Sequence, residues 1–412
     1  MKPRFIIQLV LLAAFLAPAH RPSLAQYETV LYPIVDGGKY GYIDENGKVA
    51  IRPQFDGAKL FYEGLARVRI GAKWGFIDKS GKLTIPAQFE VTPYSGDVNN
   101  SSLDFHEGMA AVSLKEGRKW GYVDRSGRIV VEPKYDVVDR FAEGVASVGN
   151  TYSETIGKNA TATYIGGAAT YIDKQGNVLS FPVVGSTFSE GLALASAPRK
   201  RPSTEGVGEE HKTGYIDKTG HFKIEPRLWE PYSFSEGLAR VRAYDRDEWG
   251  YINHKGQLII KMIYENAGDF CEGLARVKLY GRMGFVNKSG TLVIRPAFSA
   301  VGNFSGGLAS ACLESATSAF HVKCGYIDRT GKWAIPATFT FILGDFKGKL
   351  TLACTEQRCG YINGTGEFMW SLSIKQDNEN EGAVFKSSFT GCSIMSDKAE
   401  RNYPCEIDFK IF

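Results

Sequence analysis

Seven cysteines, all beyond residue 270, are the side chains of this chain best equipped for chemistry. Cys354 and Cys359 have four residues between them, a spacing that suits a metal or a thiol–disulfide centre. A structural zinc needs four ligands, and neither a second close cysteine pair nor a nearby histidine accompanies this one. Carboxylates offer a second possibility. An Asp-x-x-Gly element recurs at Asp44/Gly47, Asp78/Gly81, Asp124/Gly127, Asp173/Gly176, Asp217/Gly220 and Asp328/Gly331. Asparagine replaces the acid at Asn253, Asn287 and Asn363, which a metal loop would not tolerate without further ligands. Turn chemistry explains both residues: the first side chain accepts backbone N–H groups, and glycine takes positive φ at low cost.

A further six carboxylates, Glu63, Glu107, Glu143, Glu190, Glu236 and Glu272, sit in an aromatic-x-Glu-Gly element. Six equivalent acids cannot share one catalytic centre. Their expected role is to satisfy backbone donors at a tight bend. Two residues into the strand that follows, Ala66 and Val68 should face inward, and the position between them varies: Arg67, Ala111, Ser147, Leu194, Arg240, Arg276, Ser310. That column reads as solvent-facing, and its arginines Arg67, Arg240 and Arg276 are candidate partner contacts. No nucleophile elbow, phosphate loop, His-Glu-x-x-His or dinucleotide glycine fingerprint is present.

The elements that position these residues repeat. Aromatic-Gly-aromatic-aliphatic occurs at Tyr40-Gly41-Tyr42-Ile43, Trp74-Gly75-Phe76-Ile77 and Trp120-Gly121-Tyr122-Val123, then around Gly214, Gly250, Gly284, Gly325 and Gly360, with a degenerate copy at Thr170-Tyr171-Ile172. The steps are 34, 46, 49, 44, 36, 34, 41 and 35 residues. A unit that small cannot bury its own apolar face, so neighbours must supply the core. In the unit from Glu63 to Phe89, Gly64 to Arg69 alternates as a strand, Lys73 to Asp78 is a second, and Lys82 to Ile85 is a third, stopped by Pro86.

The run Lys73-Trp74-Gly75-Phe76-Ile77-Asp78-Lys79-Ser80-Gly81-Lys82, with Ile85-Pro86 and Phe105-x-Glu-Gly after it, resembles the WG (KWG) repeat family, over residues 30 to 370. The resemblance implies a bacterial β-rich repeat protein, often of secreted or envelope context. It brings no common ligand and no catalytic residues. Met283, Cys324 and Cys359 stand where the tryptophan would be.

That register pairs the cysteines. Cys312 and Cys354 each lie four residues after Leu308 and Leu350, on strands that should be hairpin partners of those bearing Cys324 and Cys359. Cys312–Cys324 and Cys354–Cys359 are therefore expected disulfides, replacing the packing of tryptophan. Cys392 and Cys405 remain as a third pair, and Cys271 as a buried free thiol.

Residues 1–25 read as a secretory signal: Lys2 and Arg4, an apolar stretch from Phe5 to Ala17, then Ser23-Leu24-Ala25. Removing Lys2, Arg4 and Arg21 leaves 46 basic against 45 acidic residues, a net charge of +1, so no nucleic-acid surface is indicated. Residues 26–370 form the array. Residues 371–412 read as a polar link and a disulfide-bearing cap over the open end of the last unit.

The expected fold is all-β: about nine three-stranded antiparallel meanders in tandem, as an open curved solenoid in preference to a closed β-propeller. Insertions at Gly149 to Ala169, Ser196 to Thr213, Ala243 to Glu248 and Leu313 to Lys323 fall in one hairpin type, so they should share one edge. The most charged of them carries Arg199-Lys200-Arg201, further candidate contacts. The expected function is a non-catalytic binding or scaffold protein, periplasmic or extracellular, with a protein or envelope glycan as partner. No cofactor, nucleic acid or stable membrane insertion is expected. The alternative is a carbohydrate-active or hydrolytic enzyme with a site built from non-repeated loop residues.

Overall fold

The computed structural model describes residues 29–90, 103–114, 119–156, 160–196, 212–243, 246–314 and 322–373, with only the backbone over 151–169. The proposed signal, cap, Cys392 and Cys405 lie outside the described residues. Thirty-two strands form nine antiparallel sheets and, among the described residues, there is no α-helix. The sheets, taken as blades 1 to 9, span 32–55, 57–89, 109–135, 137–179, 193–228, 238–264, 266–298, 300–339 and 341–373.

Blade 2 shows the full unit. A lead strand, Gly57–Tyr62, pairs with an ascending strand, Leu65–Ile70. The Trp-Gly strand Lys73–Ile77 follows, and an edge strand, Leu83–Phe89, completes the sheet. Five blades have this four-stranded order and four have three strands. The expectation of three strands missed the lead strand because it is often two residues long, as at Val137–Val138 or Asn266–Ala267, too short to show alternation.

The Trp-Gly glycine is fixed by close approach. The edge strand bulges toward it, and a Cβ on Gly121 would lie 2.1 Å from the Val131 carbonyl oxygen. Blade 4 tolerates Thr170 there because its edge strand is only Val178–Leu179, after which the chain leaves the sheet.

Each blade packs on the next through the same three contacts. The second aromatic of the Trp-Gly strand stacks on the phenylalanine of the following Phe-x-Glu-Gly element: Tyr42 on Phe61, Tyr122 on Phe141, Tyr251 on Phe270, with centroids 4.9–5.0 Å apart. Where that aromatic is tyrosine, its hydroxyl donates to a carbonyl of the following blade, as Tyr251 does to Gly268 at 2.6 Å. Burial pushes the Tyr42, Tyr122 and Tyr251 hydroxyls up, so they stay protonated donors. The Asp-x-x-Gly glycine lies against the preceding edge strand; a Cβ on Gly81 would stand 2.9 Å from Cγ2 of Ile51.

All three contacts recur between blade 9 and blade 1. Tyr361 stacks on Tyr32 at 5.3 Å, its hydroxyl donates to the Pro33 carbonyl at 3.0 Å, and a Cβ on Gly47 would lie 2.3 Å from the Met369 carbonyl. The array is therefore closed into a nine-bladed β-propeller, not open as the favoured expectation had it. There is no open end for a cap to cover. The physical reason is that blade 1 presents the surface every other blade presents to its predecessor, so blade 9 buries its exposed face on it.

Cys312–Cys324 and Cys354–Cys359 are bridged, each joining residues directly opposite on ascending and Trp-Gly strands. Cys271 is free and half-buried, and burial pushes its thiol up to about 11.

Candidate functional site

The up-and-down order gives the propeller two unlike faces. Glu-Gly and Asp-x-x-Gly turns emerge on one, the turn face. Hairpins between ascending and Trp-Gly strands emerge on the other, the hairpin face.

On the turn face, the recurring glutamates sit at φ 49–54° with a positive-φ glycine after each, a two-residue hairpin turn in which Asn-Gly would be the easy choice. Glutamate is explained by reach. The Glu63 carboxylate accepts the backbone N–H groups of Glu107 and Gly108 at 2.6 and 2.8 Å, and Glu107 accepts those of Glu143 and Gly144 at the same distances. Each glutamate thus caps the turn of the following blade, where the sequence had suggested its own bend. A base after the Asp or Asn of the following blade completes the pattern: Lys174 to Glu107, Lys218 to Glu143, His254 to Glu190, Lys288 to Glu236, at 3.0–3.2 Å. At the closing junction the charges are inverted, with Lys349 Nζ 2.6 Å from Glu45, and the Tyr32 hydroxyl accepts the N–H groups of Lys349 and Leu350.

Burial acts to raise Glu107, Glu143 and Glu236, but the backbone donors and lysines outweigh it and hold each below the ordinary carboxylate range. A depressed native value contributes stability above the unfolded value, and that stability is lost as pH falls through the native one. Glu107→Gln should therefore cost about 1 kcal/mol at neutral pH and flatten the fall in melting temperature between about pH 5 and 3. Differential scanning fluorimetry across that range checks it. These carboxylates are consumed by backbone and lysine, so this face offers no free acid row to a ligand.

The arginine column does not face solvent. Arg67 is 3% exposed and Arg240 is 1% exposed. Arg67 Nε lies 3.4 Å from Asp104, in the segment leading into the following blade, and Arg240 Nε lies 3.1 Å from Asp269 on the following blade. Arg240 also donates to the Ala267 carbonyl at 2.6 Å, with its guanidinium 3.7 Å from the centre of the Tyr232 ring. Half-buried Arg276 reaches the Val301 carbonyl at 3.5 Å. The solvent-facing reading of Arg67 and Arg240 is corrected because a blade is covered on both faces, so alternation along its strand does not separate core from solvent. An Asp-Phe-x-Glu-Gly variant one blade after each arginine, at Asp104 and Asp269, was the signal in the sequence.

The strand ends that flank the insertions emerge on the hairpin face. Blade 4 carries a long arm: Val145–Ile156 pairs with Ala160–Asp173, projecting roughly 25 Å beyond its neighbours at about 3.3 Å per residue. Arg199, Lys200 and Arg201 lie outside the described residues, flanked by the strand ends Ser196 and Thr213 on this face. Ile70, Tyr280 and Leu313 are exposed here, Tyr280 at 86% and φ 53°, a strained place for an aromatic. Arg242 ties Glu230 and Asp247 together, and Arg282 joins Glu314 at 2.8 Å, linking the hairpins of blades 7 and 8. Among the described residues no group of three or more His, Cys, Asp or Glu is placed to hold a metal. No described helix is long and apolar enough to cross a membrane.

Fold and junctions define a closed β-propeller of short repeated meanders. The chain belongs to the WG-containing repeat family, whose repeat matches residues 40–74, 74–97, 120–150, 214–245, 249–282, 283–315 and 325–357. The units around Thr170 and Gly360 are outside those matches and are nevertheless blades 4 and 9. No curated protein matches the sequence. Among solved structures, apo AztD from Citrobacter koseri is similar at 9% identity and a TM-score of 0.34, covering 84% of this chain and 94% of its own. The acylaminoacyl peptidase of Pyrococcus horikoshii is similar at 9% identity and 0.33, over 81% of this chain and 58% of its own. The tricorn protease is similar at 13% identity and 0.20, over 85% of this chain and 40% of its own. This chain thus spans well under two thirds of either peptidase, and likenesses this weak carry no function across.

Proposed function

We propose that this is an exported, non-catalytic binding or scaffold protein of the bacterial envelope, holding a protein or glycan partner on its hairpin face. One observation carries the reading: four of the five insertions, all but Thr92 to Asp104, fall in one hairpin type, while the turn face is kept uniform by its carboxylate chain. Ring closure brings the strand ends that carry the variable loops of blades 4, 5, 6 and 8 to one surface, as binding scaffolds do with loops on a rigid frame. The two bridged cysteine pairs suit an oxidising compartment, and the signal-like residues 1–25 suit export.

Deleting residues 199–210 tests it. The melting temperature should change little, because Ser196 and Thr213 remain paired across the hairpin base. The set of envelope proteins and glycans captured by the mature chain should change. An unchanged set with unchanged folding would remove this loop from the binding surface.

A further inference from the structure

The edge strands of all nine blades leave one side unpaired, a standing invitation to another chain. In six blades the strand carries a proline at its bulge, which removes one N–H from the edge strand: Pro53, Pro86, Pro133, Pro226, Pro296 and Pro336. Blade 6 lacks it. Its edge strand, Leu258–Tyr264, keeps the same bulged register but reads Leu-Ile-Ile-Lys-Met-Ile-Tyr, with Met262 where blades 1, 3, 5 and 7 have proline. It is also the most apolar. Leu258, Ile259 and Ile263 are 50%, 44% and 49% exposed, and the positions equivalent to Ile263 are Gln54, Gln88, Lys134, Arg227, Ala297 and Thr338. An isoleucine facing water on an unguarded edge serves no core.

We propose that the blade 6 edge takes up an extended peptide segment of a partner protein by β-strand addition, with apolar side chains flanking a carboxylate opposite Lys261. Charge decides the occupant. Lys261 is exposed at the centre of the strand, and Arg295 is exposed at the equivalent position of blade 7. Antiparallel pairing of two copies about the strand centre would set Lys261 against Lys261, like charges directly opposite. A segment with a central acid meets Lys261; Arg295 of blade 7 favours it and Glu225 of blade 5, at the same position, opposes it, so the preference rests on Lys261 itself. The main chain supplies affinity and the alternate side chains supply specificity. The inference extends the binding reading to a second surface and stands on different residues.

The probe is a short fluorescent peptide of alternating valine and threonine around a central glutamate, followed by anisotropy with the full mature chain. The wild type should bind it. Met262→Pro, which recreates the sequence of four sibling blades, should weaken binding by about tenfold or more at unchanged melting temperature, and Ile263→Lys should act alike should the first variant unfold. A lysine-centred probe should bind correspondingly less. Absence of binding, equal binding by both variants, or equal binding of both probes overturns the proposal. So does a concentration-dependent dimer abolished by Met262→Pro, which assigns the edge to a second copy. Probe binding gained only when Ile407, Phe409 and Ile411 are changed to serine overturns it too, in favour of this chain's own C-terminal segment. Loop deletion at 199–210 should leave probe binding intact, so the two readings fail separately.

Discussion

Gly121→Ala should be among the most damaging single-methyl changes in the ring. The added Cβ would stand 2.1 Å from the Val131 carbonyl oxygen, and also within 2.7 Å of Pro133 N and the Glu132 carbonyl carbon. All three are backbone, so no side chain can swing aside. The edge strand would have to move off the Trp-Gly strand by about 1 Å, breaking the bulged pairing of Tyr122 with Val131. A cost of about 3 kcal/mol or more is expected, at the upper end of overpacking effects, read as a shift in the guanidinium midpoint. Thr170→Gly is the matched control: it restores the family residue in the blade whose edge strand has already departed, and should cost no more than about 1 kcal/mol. Equal losses at the two positions would contradict the close-approach account.

The second large effect concerns the buried guanidinium of Arg240. Its side chain has no exposed surface, and Asp269 supplies its counter-charge from the following blade. Asp269→Ala should destabilise by about 3 kcal/mol, because a buried charge held by the Ala267 carbonyl and the faces of Tyr232 and Trp249 would lose its carboxylate. The double change Arg240→Met with Asp269→Leu should recover most of that loss, since a buried pair is worth little against an apolar replacement. A denaturation midpoint for Asp269→Ala within about 0.5 kcal/mol of wild type would return Arg240 to the surface role that alternation first suggested.

Much of the blade is legible in the sequence, and the reason is repetition. One copy of Asp78-Lys79-Ser80-Gly81 is an ordinary turn, but nine copies in register fix the hairpin, the strand order and the glycine conformation together. The same register placed Cys312 opposite Cys324 and Cys354 opposite Cys359 before any coordinates were needed. Three features escape it. Lead strands such as Ala300–Val301 are too short to carry a period. Closure depends on residues more than 300 positions apart, and blade 1 achieves it by substitution: Tyr32 replaces phenylalanine, and Glu45 with Lys349 reverses the usual charges. The candidate site was legible only as a set of loops. Which face is solvated depends on whether the array closes, and that decides the fate of Arg67 and Arg240.

Closure is therefore the claim on which the two faces, the buried arginines and the exposed blade 6 edge all rest. Zero-length carbodiimide coupling tests it directly. In the ring, Lys349 Nζ and the Glu45 carboxylate are 2.6 Å apart, as close as an amide bond needs, though the residues are 304 positions apart in the chain. Digestion of the coupled monomer should yield a peptide joining Glu45 to Lys349, beside the adjacent-blade products Glu107–Lys174 and Glu143–Lys218. Recovery of those two products from the monomer without the Glu45–Lys349 peptide would show an open array.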